Sequence, residues 1–297
     1  MSKGTLYVFG GSVWVHVPEI AVSELGYKPG EIEQQQVNLA EGANFDPNGF
    51  LKINHKATLP TLVIGEHHYT DSVPVVEKLI ELAPTPPAVK ADHELRKLIA
   101  TVHNEANDPN TLFVLPIDDA DREAKAAGLV GGFLGGRQVA LDKYAPSAPE
   151  QFKAFLEEKQ KANGQILAVI QGKADVSYAT PGYKLTLQAA TNAGIYAAAA
   201  AQWKASGHVI RAEITPILKK APGKFLGGAD SPGEADFHVI TWLARIITDA
   251  GIPPNSPSSA AFPVLAKRTG GAEIDPVVAA YWDTWIKRDS FIQNNVN

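Results

Sequence analysis

The stretch that decides the fold runs Ile53-Asn-His-Lys-Ala-Thr-Leu-Pro60-Thr-Leu-Val-Ile64-Gly-Glu-His-His-Tyr69-Thr-Asp-Ser72. Pro60-Thr-Leu-Val-Ile64 is a compact apolar strand, Gly65-Glu66 a tight turn, and His67-His-Tyr69 the returning strand of a hairpin. Thr70-Asp71-Ser72 stands where helix caps stand, ahead of Val75, Val76, Leu79 and Ile80 at helical spacing. A proline preceded by an extended residue adopts cis at a cost of only about 0.5–1 kcal/mol, and a cis bond at Leu59-Pro60 turns the Leu59 N–H and C=O outward as a peptide-binding edge. Asp71-Ser72 at a helix start offers unpaired backbone N–H groups, a hydroxyl and the positive end of a macrodipole, a setting suited to a carboxylate. Taken singly, Pro60 also reads as the start of an edge strand and Asp71-Ser72 as an ordinary cap.

Working toward the N-terminus, Thr5 to Phe9 is a β-branched and aromatic run stopped by Gly10-Gly11, Ile20 to Leu25 leads into Gly26 at a helix end, and residues 31–39 hold a strand candidate. The order is βαβ followed by ββα within about 83 residues. Pro18 is favoured at the first position of a helix and costs about 3 kcal/mol inside one, so the first helix is expected to open near it. Toward the C-terminus, Ala83-Pro-Thr-Pro-Pro-Ala88 is a stiff connector, which sets the expected organisation as a domain over 1–83, a linker over 84–90 and a helical domain over 91–297. Helices are expected over 91–101, 149–171, 185–205, 209–220, 233–250 and 275–288. Residues 121–147, with the glycine-rich run Gly-Leu-Val-Gly-Gly-Phe-Leu-Gly-Gly-Arg137, and residues 172–184 read as looser insertions. The glycine run lacks the Lys-Ser/Thr ending of a phosphate loop.

Composition removes several function classes. The 27 Lys and Arg against 32 Asp and Glu leave a net charge of −5, which gives no drive for counterion-release binding to nucleic acid. The absence of cysteine removes disulfides, thiolate metal sites and catalysis by a protein thiol. His67 and His68, adjacent on a strand, point to opposite faces and cannot share one metal, so no metal cofactor is expected. No run of 18 apolar residues and no apolar leader are seen, so the chain is read as cytoplasmic, with no membrane partner.

The segment from Ile53 to Ser72 resembles the thioredoxin-fold half of a cytosolic glutathione transferase. The family pattern Asn-Pro-x-Gly-x-Val-Pro, followed about eleven residues later by Glu/Asp-Ser, is met by Asn54, Ala57 in the glycine place, Leu59-Pro60 and Asp71-Ser72; the inner proline and glycine are missing. A second segment, Phe225-Leu-Gly-Gly228 and then Gly233-Glu-Ala-Asp236, is similar to the family's helix-capping motif, with Gly233 in place of its Ser/Thr cap. The resemblance implies an α+β fold: a thioredoxin-like βαβ-ββα domain, then an all-α domain with an enlarged middle insertion. It implies that glutathione, the co-substrate, lies along Leu59-Pro60 with its γ-glutamyl group at Asp71-Ser72, and Lys56 is a candidate partner for its glycyl carboxylate, as is Lys52.

Counting back from Ser23-Glu-Leu-Gly26, the family's helix-one ending, places Ser12 where serine-type members hold the sulfur. The backbone amides of Val13 or Trp14 are the alternative donors. Tyrosine-type members put their phenol where this chain has Val8, and the neighbouring Tyr7 faces the other side of the strand. The electrophile pocket is expected near Trp14, His103 and Asn107. The implied activity is conjugation of glutathione to hydrophobic electrophiles, a detoxification reaction carried out by a homodimer, and the insert looks similar to fungal members. A non-catalytic carrier of glutathione or apolar ligands, and a glutathione-dependent etherase or peroxidase, are the other readings of the same residues.

Overall fold

A computed structural model describes residues 3–173, 192–220 and 223–297. The fold is α+β. Strands β1 (Gly4–Val8), β2 (Ile32–Gln36), β3 (Thr61–Ile64) and β4 (His67–Thr70) form one sheet in the order β2-β1-β3-β4. Helix α1 (Val13–Glu24) connects β1 to β2, and α2 (Ser72–Glu81) follows β4, giving the expected βαβ-ββα order of a thioredoxin-like domain. β3 runs antiparallel to both neighbours, with Leu6 opposite Leu62, Tyr7 opposite Thr61, and Thr61 opposite Thr70. Leu6, Val8 and Leu62 are fully buried, so the period-2 alternation of β1 sets which face of the sheet meets the helices.

The rest of the described chain is helical: α3 (His93–Val102), α4 (Pro109–Val114), α5 (Asp119–Ala127), α6 (Leu129–Tyr144), α7 (Glu150–Ile170), α8 (Asn192–His208), a π turn over Val209–Ile214, α9 (Thr215–Lys220), α10 (Glu234–Asp249), α11 (Ser258–Arg268), α12 (Pro276–Trp285) and α13 (Asp289–Gln293). The chain divides into two compact units. One comprises Met1–Gln35, Leu59–Pro109 and Gln202–Asn297; the other comprises Gln36–Thr58 and Asn110–Ala201. The first is built around α10, whose residues from Glu234 to Ile247 are all buried, with Phe237, Trp242 and Leu243 among its apolar members. A helix buried on every face belongs inside a core. The C-terminal end of this unit is tied to α1 by Arg288, which grips the Glu24 carboxylate through Nε at 2.8 Å and Nη2 at 2.6 Å. That planar bidentate geometry is one only arginine supplies.

Two expectations are corrected. First, α1 begins at Val13, and Pro18 lies inside it. A proline at this sixth position leaves the Trp14 carbonyl without its helical donor. The cost is offset by packing, since Val13, Val15, Val17, Ile20 and Ala21 are all fully buried; each such side chain contributes roughly 1.5–3 kcal/mol for the larger aliphatics. Second, the glycine-rich run is helix α6 and not a loose insertion. Two of its four glycines permit close backbone approach: a Cβ on Gly136 would stand 2.1 Å from the Ala40 carbonyl oxygen, and one on Gly131 2.0 Å from that of Ala126. Tertiary contact here overrides a helix propensity about 1 kcal/mol per glycine worse than alanine. The expected helix over 185–205 begins, among the described residues, at Asn192; residues 185–191 and 174–184 lie outside them.

The capping motif folds as its residues require. Asp236 accepts the Gly233 N–H at 2.8 Å and the Leu226 N–H at 3.0 Å with its two carboxylate oxygens. The glycine at the cap has a steric cause: a Cβ on Gly233 would lie 2.6 Å from the Val89 carbonyl oxygen, which itself accepts the Glu234 N–H at 3.1 Å. A serine or threonine in that place collides with the connector backbone.

Candidate active site

Two helix N-termini of the first unit carry the candidate residues. Ser12 is the N-cap of α1, in extended conformation (φ −99°, ψ 114°), and its hydroxyl makes no capping bond to its own helix. An N-cap serine ordinarily accepts an N–H two or three residues on; here the residue is half-buried and its oxygen takes no such bond. The Ser12 N–H donates to the Phe9 carbonyl at 2.9 Å and the Val15 N–H to the Ser12 carbonyl at 3.1 Å. The donors left at this helix start are the Val13 and Trp14 amides, together with the positive end of the dipole. Because the helix opens at Val13, Ser12 stands at the dipole end rather than a turn away from it. Val8, in the tyrosine-type position, is a fully buried core residue, and Tyr7 is half-buried on β1.

The second helix start is α2. The Leu59-Pro60 peptide is cis, as the sequence suggests. Leu59 lies two residues ahead of the last β1–β3 pair, Tyr7 opposite Thr61, so its backbone groups stand outside that ladder. Asp71 precedes α2 with φ 75° and ψ 149°. That region is essentially reserved for glycine, and holding another residue there costs on the order of 1–3 kcal/mol. Its side chain is exposed and does not cap its own helix. Ser72 is buried; Pro74, third in the helix, has no N–H to offer, so the amides of Ser72 and Val73 are the ones presented at this end.

Trp14 and His103 come together. Their rings stack with centroids 4.0 Å apart and planes tilted by 33°. His103, the C-cap of α3, hydrogen-bonds through Nε2 to Nδ1 of His238 on α10 at 2.8 Å. Burial holds the His103 imidazole down to about 4, against a smaller upward pull from Asp71, and burial with the His103 neighbour holds His238 well below its ordinary value. Both rings are neutral at pH 7; one donates and the other accepts. Asn107 is turned to the protein instead: its side-chain nitrogen donates to the Thr101 carbonyl at 2.9 Å, and its own carbonyl accepts the Trp242 indole N–H at 2.8 Å.

Lys52 and Lys56 are exposed in the Gln36–Thr58 segment of the second unit. The turn there is closed by Asn54, which accepts the Lys56 N–H at 2.9 Å and donates to the Thr58 carbonyl at 2.9 Å. Ala57 takes φ 55°, the left-handed conformation that explains a glycine preference at this place.

His238 and Arg245 escaped the sequence reading. Arg245 is 6% exposed, and its Nη2 donates to the Gly11 carbonyl at 2.9 Å. The available signal was a lone charge in an otherwise uncharged and mostly apolar run, Val239 to Ile247, which demands a buried partner. Among the described residues no group of three or more His, Asp or Glu is placed to hold a metal, and no helix is long and apolar enough to cross a membrane.

Comparison with known proteins agrees with this architecture. Residues 6–87 match the family of glutathione S-transferase N-terminal domains. The fold is shared with the beta-etherase LigF from Sphingobium sp. strain SYK-6 (TM-score 0.53, 16% identity, covering 99% of this chain and 98% of that one). It is shared also with Gtt2 from Saccharomyces cerevisiae (TM-score 0.51, 13% identity, 98% and 99%) and with a glutathione transferase of Drosophila melanogaster (TM-score 0.51, 16% identity, 99% and 91%). No protein of curated function matches the chain. The chain thus shares its fold with these proteins, and residues 6–87 match the N-terminal domain model.

Proposed function

We propose that this chain is a serine-type glutathione transferase that conjugates glutathione to hydrophobic electrophiles. The observation that carries the reading is the Ser12 hydroxyl, placed at the N-cap of α1 yet not used to cap it. Glutathione binds along Leu59-Pro60, with its γ-glutamyl carboxylate at the Ser72 and Val73 amides and its ammonium at Asp71. The Ser12 hydroxyl and the Val13 and Trp14 amides donate to the sulfur, which favours thiolate over thiol; the thiolate attacks the electrophile, and the leaving group or the protonated adduct departs. Each unit by which the thiol pKa falls is about 1.4 kcal/mol of that preference. Trp14, backed by His103, is an aromatic wall for an apolar substrate, and Lys56 is kept as the candidate for the glycyl carboxylate. The reading carries with it a homodimer, a cytoplasmic detoxifying role and a resemblance to fungal members.

The test is calorimetric titration with glutathione, followed by turnover of generic electrophiles. Ser12→Ala is expected to leave glutathione affinity within a few-fold and to lower kcat on the order of 10²-fold, the usual scale for one lost anion-stabilising donor. Absence of binding at millimolar glutathione refutes the site, and an unchanged kcat in Ser12→Ala refutes the role of the hydroxyl. The same thiolate would cleave an ether, the chemistry named for the Sphingobium structure, so an ether belongs among the substrates tried. Binding without any turnover marks a carrier.

Asp71 gives an independent check. Asp71→Gly relieves the backbone conformation and is expected to raise stability by about 1 kcal/mol or more, while weakening glutathione about tenfold or more through loss of the ammonium's partner. A stability gain with unchanged affinity would place the γ-glutamyl group elsewhere.

A further inference from the structure

Gly10-Gly11 precedes Ser12, and a glycine pair has more backbone freedom than any other dipeptide. Nothing lies within 4 Å of the position a Cβ on Gly10 would take, so side-chain packing does not fix that residue. The 11–12 peptide is nevertheless held at both ends. Its N–H, from Ser12, donates to the Phe9 carbonyl at 2.9 Å, and its C=O, from Gly11, accepts from Arg245 Nη2 at 2.9 Å. Arg245 is the sole Lys, Arg, Asp or Glu between Asp236 and Asp249 on α10, and it is almost wholly buried. The rotation of this peptide plane determines where the Ser12 side chain and the two following amides point.

We propose that Arg245 is a positioning residue for the sulfur site. By gripping the Gly11 carbonyl from α10, it fixes the peptide from which the Ser12 hydroxyl and the Val13 and Trp14 amides project. The inference rests on the reading of Ser12 as the sulfur's partner. Its chemistry is orientation: a donor group aligned before the reaction stabilises a thiolate at no cost of reorganisation, whereas a Gly-Gly turn free to rotate must be ordered at each encounter. A positive charge behind the carbonyl adds to the field of the α1 N-terminus, in the direction that favours the anion. Arginine suits the task because its planar fork reaches the carbonyl with a set geometry, which a lysine reproduces only in charge.

The experiment compares the full-length protein with Arg245→Met, Arg245→Lys and Ser12→Ala. Thermal unfolding, glutathione affinity, the ultraviolet thiolate absorbance of bound glutathione against pH, and kcat against pH are measured for each. Arg245→Met is expected to bind glutathione within about threefold of the parent, to raise the apparent thiol pKa by about one unit, and so to lower kcat about tenfold on the acidic limb, with recovery as pH rises. Arg245→Lys is expected to reverse a large part, but not all, of that shift. A folded Arg245→Met with the parent's thiol pKa overturns the proposal, as does a rate loss uniform across pH. Should the methionine variant fail to fold, the lysine variant decides: a thiol pKa identical to the parent's with full kcat on the acidic limb overturns it, and a partial rise supports it. If Ser12→Ala shifts the thiol pKa and the Arg245 variants do not, only the positioning role falls; if Ser12→Ala shifts nothing, the sulfur assignment itself has failed.

Discussion

Asp236→Ala is expected to destabilise the protein by about 4 kcal/mol, since it strips the acceptor from two buried N–H donors at once, those of Gly233 and Leu226. Each orphaned buried donor costs roughly 1–3 kcal/mol, and no water reaches a residue with no exposed surface. In a unit of this size such a loss lowers Tm by roughly 10 °C. Burial pushes the Asp236 carboxyl up to about 7, more than the two N–H donors pull it down. With its folded pKa above the unfolded one, its titration contributes stability that is complete below about pH 4 and is lost as pH rises toward 7. The carboxyl is therefore partly protonated at neutral pH, and Asp236→Asn, which is neutral throughout, is expected to cost less than alanine because it keeps one of the two acceptor oxygens, but at least half as much because its NH2 group then faces the other N–H. Equal losses for Ala and Asn, read by chemical denaturation at pH 7, would show that charge and not hydrogen bonding holds the Phe225-to-Gly233 turn.

The His103–His238 pair produces a pH dependence of the opposite sign. Both imidazoles are neutral in the folded protein far below the ordinary histidine range, whereas in the unfolded chain they charge below about 6.5. The unfolded state then binds more protons, so their contribution is present above pH 6.5 and is lost as pH falls toward 4. For His103 alone, a shift from 6.5 to about 4 costs the parent roughly 2–3 kcal/mol on going from pH 7 to 4.5. His103→Asn removes that term. Its unfolding free energy should fall less steeply over the same interval, whatever its absolute stability, and parallel pH profiles for parent and variant would exclude the assignment. Protonation of this pair also removes the rigid backing of Trp14, so acid should quench ligand binding at that wall before global unfolding sets in; tryptophan emission during the titration tests the order of events.

The order βαβ-ββα was legible because each of its signals is local: alternation in Thr5–Phe9, a Gly-Glu turn between two short strands, and a cap followed by Val75, Val76 and Leu79 at helical spacing. The cis Leu59-Pro60 bond and the start of α2 lie where the sequence put them. What was not legible depends on partners distant in sequence. The start of α1 could not be read from Pro18, because the burial of Val13, Val15 and Val17 against the rest of their unit outweighs the proline's lost hydrogen bond. Helix α6 could not be read from its glycine run, because what favours Gly136 is the approach of the Ala40 backbone from far along the chain. His238 and Arg245 look like ordinary members of an apolar helix until their partners, 135 and 234 residues away, are known. The Trp14–His103 stack likewise required the fold, while Asn107 shows the reverse, a polar side chain that sequence aims at a ligand and that Thr101 holds.

The glycine contacts bear on how this chain can be recombined. Residues 36–58 and 110–201 belong to one compact body, and within it Gly136 leaves room only for the Ala40 carbonyl and Gly42 only for the Ala140 methyl. A graft that carries the long helical insert into another scaffold must therefore bring residues 36–58 as well, with crossovers at 35/36, 58/59, 109/110 and 201/202. Shuffled alone, either piece meets a β-carbon where its backbone expects a hydrogen.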